Sequence, residues 1–233
     1  MWIGSCSGEC VKVILFGATG MVGQGVLREC LLATDVDAVL AIGRSTITDT
    51  NLKLRQLVRR DLCDYSGVES DLGGYDACFF CLGVSSAGMK EEAYRRVTYD
   101  ITLAAAEALV RLNPEMKFIY VSGAGTDSTE KGRTMWARVK GATENALLRL
   151  PWLPPKGGAY MFRPGVIVPL HGIRSKTALY QALYTVLRPI LPLLLMLFPR
   201  SITTTEQLGR AMLRVAREGY SNHVLEARDL CSF

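Results

Sequence analysis

Residues 11–23 read VKVILFGATGMVG, a mostly apolar run that breaks into three glycines at fixed spacing. Nothing else in the chain restricts the fold as strongly. A short apolar run bounded by glycine reads as a strand buried on both faces, which is how strands of parallel sheets look. Gly17, Gly20 and Gly23 would then carry the chain from that strand into a helix beginning at Met21. Gly17 permits the tight turn, Gly20 lets a pyrophosphate approach the backbone, and Gly23 lets helix and strand pack closely. The start of the helix offers unpaired N–H groups and the positive end of a dipole to the phosphates. The strand–turn–helix context is what a dinucleotide-binding loop requires. Glycines kept only for a tight strand–helix turn are the competing reading.

The remaining pattern repeats strand and helix. Strands are expected at Val11–Phe16, Ala38–Ile42, Leu54–Arg59, Ala77–Leu82, Lys117–Ser122, Tyr160–Arg163 and Val224–Glu226. Helices are expected at Met21–Leu32, Tyr65–Leu72, Glu91–Leu112, Met135–Leu150 and Thr205–Arg217, with Pro151 stopping the fourth. This alternation predicts an α/β fold of Rossmann type, a doubly wound parallel sheet with right-handed crossovers. At 233 residues the chain suits one domain. Residues 1–10 read as an N-terminal extension, 11–233 as the nucleotide-binding domain, and 164–205 as the main part of a small C-terminal substrate lobe.

The net charge of +5 lies in residues 151–233, because residues 1–150 are close to balance. Without a cluster of five basic residues, a nucleic-acid footprint is excluded. The mean hydropathy of +0.18 has its source nearby, in KTALYQALYTVLRPILPLLLMLFPR (176–200). Its wholly apolar part, Pro189–Pro199, is too short to cross a bilayer about 30 Å thick. Residues 177–199 therefore read as a hydrophobic segment of the lobe, or as peripheral membrane or lipid contact through Arg174, Lys176, Arg188 and Arg200. An apolar substrate with an anionic end fits the same composition. Seven scattered cysteines argue against a disulfide framework. Cys78 and Cys81 have CxxC spacing but fall within a strand pattern, so no metal site is expected. With no signal peptide visible, a cytoplasmic location is expected.

The end of the second strand bears on the dinucleotide. An NAD site usually places Asp or Glu there to bond the ribose 2′-hydroxyl. Here the sequence is Ala41-Ile42-Gly43-Arg44-Ser45, with no carboxylate. The guanidinium of Arg44 is a charged planar fork suited to a 2′-phosphate, so NADP(H) is favoured over NAD(H). A solvated surface arginine is the competing reading.

GATGMVG, AIGR, Asp61-Leu62, the CLG of 81–83, the VSG of 121–123 and the RPG of 163–165 occur in order. Together they resemble the atypical short-chain dehydrogenase/reductase superfamily. Within it the chain is similar to bacterial NAD-dependent epimerase/dehydratase-like proteins, relatives of the TIP30/NmrA-like group. The resemblance implies that Gly17, Thr19, Gly20, Met21, Val22 and Gly23 line the pyrophosphate and that Arg44 takes the 2′-phosphate. By the same resemblance Asp61 and Leu62 flank the adenine, and Cys81, Leu82 and Gly83 the adjacent ribose. Arg163, Pro164, Gly165 and Val166 would pass close to the nicotinamide. The superfamily also uses a Ser after the fifth strand and a Tyr-x-x-x-Lys on the next helix. Ser122 and Lys140 match, with Lys140 also holding the nicotinamide ribose, but the tyrosine position is Trp136. An indole N–H donates a hydrogen bond and does not exchange a proton near neutral pH. Thr98 stands where many relatives carry an asparagine that holds a water, and Tyr94 and Tyr99 are nearby phenols.

Two classes of function remain open. The first is an NADP(H)-dependent oxidoreductase or epimerase of a small, partly apolar carbonyl or hydroxyl compound, using another proton donor. The second is a catalytically silent module that senses NADPH or binds a partner. His171 reads either as an alternative acid or as a loop histidine, and His223 as a surface residue. The polar loop 123–134 reads as a mobile substrate lid. The resemblance further implies a homodimer through helices equivalent to 91–112 and 135–150.

Overall fold

The computed structural model describes residues 10–173 and 202–233. The expected extension, apart from Cys10, and the apolar segment 177–199 lie outside the described residues. Seven strands form one parallel sheet: β1 (Val11–Phe16), β2 (Val36–Gly43), β3 (Leu54–Val58), β4 (Ala77–Phe80), β5 (Lys117–Val121), β6 (Gly158–Arg163) and β9 (Val224–Glu226). Their order is β3-β2-β1-β4-β5-β6-β9. The chain winds outward from β1 in one direction and then, from β4, in the other. That reversal opens a crevice at the carboxyl ends of β1 and β4, where ligands of open α/β sheets bind.

The strand pleat sorts side chains onto two cores. Val13 and Leu15 of β1 face α1 (Met21–Leu32) and α6 (Thr205–Glu218), joining Val26, Cys30, Leu208 and Met212. Ile14 and Phe16 point to the other face, where Leu109 of α4 (Ile101–Leu112) and Leu147 of α5 (Met135–Leu148) cover them. All four residues of β1 named here are fully buried, as a doubly covered parallel strand requires.

Some boundaries differ from the sequence pattern for local reasons. The helix expected at Tyr65–Leu72 is reduced to α2 (Glu69–Leu72), because Gly67 turns the backbone to a φ of +75°. The expected helix 91–112 is continuous but uneven. It begins as α3 (Glu91–Arg95), widens into a π-type turn at Arg96–Asp100, and proceeds as α4. Such turns recur at functional sites. Helix α6 starts where Thr204 and Gln207 form a reciprocal capping box. A last short helix, α7 (Ala227–Leu230), follows β9.

The pattern did not foretell a second, two-stranded parallel sheet, β7 (Val166–Val168) with β8 (Ile202–Thr204). Three-residue strands carry too little periodicity to be seen in sequence. This sheet pins both ends of the chain leading to and from residues 174–201 against the domain.

Candidate functional site

At the glycine turn between β1 and α1 the backbone does the positioning. Gly17 has a φ of +78°, and a Cβ there would stand 2.6 Å from the Leu82 amide nitrogen. Only glycine lets the turn lie this close to the chain leaving β4, which is anchored by Cys81 N donating to Phe16 O at 3.0 Å. A Cβ at Gly23 would collide with the carbonyl of Gly17, so helix α1 and its incoming turn are in direct contact. Gly20 N donates to Gly17 O at 2.9 Å and Gln24 N to Gly20 O at 2.9 Å, fixing the turn. The start of α1 has no side-chain cap and no acidic residue in its first turn. Those amides therefore face the crevice open to an anion.

A cavity runs from this turn to the end of β2. Its wall includes Gly17, Thr19, Arg44, Ser45, Leu62 and Leu82, and among the described residues it includes no Asp or Glu. Arg44 is exposed and makes no ion pair among the described residues. Asp61 is not part of this wall. It is exposed and its carboxylate accepts from Cys63 N at 2.8 Å, a local turn bond. Gly83 is likewise outside the wall, and Cys81 contributes its backbone carbonyl beneath Gly17. The wall contains Gln56 and Val58, which sequence reasoning missed. The signal was the alternation along β3, which puts positions 56 and 58 on one face; Gln56 holds the loop after β2 through both its amide atoms on Ile47.

At the other end of the crevice, β5 and α5 bring Ser122, Trp136 and Lys140 together. Ser122 is buried, and both its N–H and its hydroxyl donate to Phe162 O, at 2.8 Å and 3.1 Å. Lys140 donates from Nζ to the Ser122 carbonyl. Enclosure lowers the Lys140 pKa to about 8, against the opposing pull of Glu144. Trp136 lies one turn earlier on α5, on the same face, and its ring edge comes within 3.6 Å of a Cβ built at Gly125. Thr98 sits buried in the wide turn before α4, its hydroxyl enclosed.

Glu144 is a third residue that the pattern reading missed. Its side chain is buried, and the Arg163 guanidinium clamps it through several hydrogen bonds. The same guanidinium reaches Glu226 Oε1 at 3.0 Å and Ser128 Oγ at 2.5 Å. Arg163 thereby ties β6 to α5, β9 and the loop after β5, and only its backbone is free to face a ligand. The Lys140–Glu144 spacing of one helical turn was the available signal. Pro164 O accepts from Ala124 N at 2.8 Å, whereas Val166 is an exposed residue of β7.

The loop 123–134 is tied down, not free as expected for a lid. Asp127 N donates to Ala137 O at 3.1 Å, and the Asp127 carbonyl lies against Gly141, where any side chain would collide. Asn145 adds bonds to Ser128 O and Glu130 Oε1, at 2.9 Å and 2.7 Å. His171 lies 2.6 Å from Glu206 Oε2 beside α6, in a groove shared with the second half of α1. The exposed His223 bonds the Ala159 carbonyl at 2.9 Å. Cys78 and Cys81 have thiol pKa values raised by burial, which makes them poor nucleophiles. Among the described residues no group of three His, Cys, Asp or Glu side chains is placed to hold a metal. No helix among them is long and apolar enough to cross a membrane.

The NAD dependent epimerase/dehydratase family matches residues 13–133, more than half of the chain and the whole of the glycine turn. The chain belongs to this family. Among curated proteins, it is 28% identical over 150 residues to leucinostatins biosynthesis cluster protein T of Purpureocillium lilacinum, covering 63% of this chain and 54% of that one. It is also 28% identical over 160 residues to protein FMP52, mitochondrial, of Eremothecium gossypii, covering 68% and 67%. The chain thus spans about half the length of the first of these relatives. Among solved structures, the Bordetella bronchiseptica enzyme WbmF in complex with NAD+ superposes with a TM-score of 0.65 at 15% identity, over 97% of this chain and 77% of that one. That likeness is one of fold.

Proposed function

We propose that this member of the family binds NADP(H) in preference to NAD(H) and acts as an oxidoreductase or epimerase on a small, partly apolar carbonyl or hydroxyl compound. One observation carries the cofactor preference. The cavity at the end of β2 presents Arg44 and Ser45 and, among the described residues, no carboxylate to compete with a phosphate or to bond a bare ribose. The amides at the start of α1 would take the pyrophosphate, Leu62 would cover the adenine, Leu82 would lie beside the adjacent ribose, and Lys140 would hold the second ribose. When bound, a nicotinamide dinucleotide supplies or accepts a hydride. The protein's share is to hold the reacting carbon beside it, polarise the oxygen and manage one proton.

Trp136 favours a second reading, a dinucleotide-occupied module without turnover, since an indole cannot deliver that proton. In either case the compartment is proposed to be a reducing one, because Cys30, Cys63, Cys78, Cys81 and Cys231 are thiols.

Titration with NADPH and NADH, followed by tryptophan fluorescence, tests the proposal. NADPH should quench the emission, and Trp136→Phe should remove most of that quench. Arg44→Glu should weaken NADPH at least tenfold and leave NADH nearly unchanged. Equal losses for both cofactors would sink the preference. Quenching without NADPH oxidation over a broad carbonyl panel would select the silent module.

A further inference from the structure

We propose that Gln56 is a positioning residue for cofactor choice. By clamping the backbone of Ile47, it keeps Arg44 and Ser45 at the cavity for a 2′-phosphate. This rests on the NADP(H) reading above and names the group outside the loop that makes Arg44 effective.

Strand β2 ends at Gly43, which pairs with Val58 of β3, and Arg59 N donates to Gly43 O at 2.9 Å. The chain leaves the sheet there and soon returns to it. Ile47 N donates to Gln56 Oε1 at 2.7 Å, and Gln56 Nε2 donates to Ile47 O at 2.9 Å. Gln56 itself pairs with Ala41, so by Ile47 the chain has doubled back along the sheet. Residues 44–46 are thus a short crest between two fixed feet. A crest of that length, closed at both ends, retains few backbone arrangements. Arg44 and Ser45 sit on it, and both belong to the cavity wall together with Ile47, Gln56 and Val58.

Other contacts hold the loop in general, and Gln56 sets its course. The far end is tied by Lys53, whose N donates to Asn51 Oδ1 at 3.0 Å and whose Nζ donates to Ala33 O at 2.6 Å. The Ile47 side chain is partly buried against the core on the α1 side of the sheet. The loop would therefore stay attached without Gln56. What the clamp fixes is the direction of the backbone at Ile47, and with it the place of the crest.

Glutamine is chemically suited to this. Its amide carries an acceptor and a donor, so one side chain serves both backbone groups of Ile47. It is also neutral. Glutamate could accept from the Ile47 N–H but would bring a negative charge into a wall that, among the described residues, holds no carboxylate. Lysine and arginine have no acceptor to offer. Binding a phosphate must order the long side chain of Arg44, and a fixed backbone beneath it leaves less to order. A bare ribose has no charge for Arg44 to meet, so loss of the clamp is felt by NADPH above all.

Dissociation constants for NADPH and NADH, from tryptophan quenching of the whole protein, test this. Four proteins are compared: wild type, Gln56→Met, Arg44→Ala and the double variant. Methionine matches glutamine in length and lacks the amide; Gln56 is exposed, so the core stays intact. Gln56→Met should narrow the preference for NADPH over NADH about fivefold, the weight of one or two hydrogen bonds. Because the clamp acts through Arg44, the same change made on Arg44→Ala should narrow it no further. Timed digestion with trypsin gives a readout without cofactor: cleavage after Arg44 should be about threefold faster or more in Gln56→Met than in wild type. An unchanged preference in Gln56→Met, equal narrowing with and without Arg44, or an unchanged cleavage rate overturns the inference alone. A wild type without preference for NADPH, or an Arg44→Ala that keeps the full preference, overturns the NADP(H) reading and the inference with it.

Discussion

At the β1–α1 turn the site is made of backbone, whereas at the β5–α5 end it is made of side chains. The turn exists because Gly17 and Gly23 have nothing to put where Leu82 and the Gly17 carbonyl already stand. Its chemistry, a row of open amides, is the same whatever side chains surround it. The other end depends on Ser122, Trp136 and Lys140 and on the buried Glu144–Arg163 pair behind them. A backbone site is lost by adding atoms and a side-chain site by exchanging them. A family can therefore keep the first while its members alter the second.

The largest effect that separates the two ends should come from Glu144→Ala. Leaving Arg163 buried beside a missing partner costs about 3–5 kcal/mol, seen as a lower midpoint in urea denaturation. A Glu144→Leu, Arg163→Met double variant should recover most of that loss. No recovery would mean that the pair does more than neutralise itself. Gly23→Val comes next. It should cost about 1–3 kcal/mol by overpacking and abolish NADPH quenching in protein that still folds. Retained quenching would show that the turn tolerates displacement and would erase the contrast between backbone and side-chain ends.

A further effect is one of pH. The folded-state pKa of Lys140 lies below its value in the unfolded chain, about 8 against 10.5. Between those pH values the unfolded chain binds the extra proton, so this group makes stability rise with pH across that window. Below about pH 8 the amine is charged in both states and its burial penalty is fully present. Urea denaturation at intervals from pH 7 to 10.5 should show this rise relative to a Lys140→Met variant; parallel curves would remove the enclosed ammonium from the account.

The sheet was legible because parallel strands are apolar runs punctuated by glycine and proline, and the β1 pattern is continuous from Val11 to Phe16. The two-stranded β7–β8 sheet was not, since Val166–Val168 and Ile202–Thr204 are too short for a period to register. The loop 123–134 misled for a related reason. Its glycines and polar residues read as mobility, yet Asp127 and Asn145 spend their polar atoms on that loop and on α5. Composition does not reveal which partner a polar atom has.

The sequence alone determined the glycine turn, the α/β alternation and the lack of a carboxylate at the end of β2. Each of these is local, fixed by a few adjacent residues and the backbone shapes they permit. Only the tertiary structure decided that Ser122 gives its hydroxyl to β6 and that Arg163 is held by Glu144 and Glu226. Each of those depends on which group first reaches a hydrogen-bond partner across a distance of many residues. Burial decides it, because a polar atom inside the protein must find its partner there.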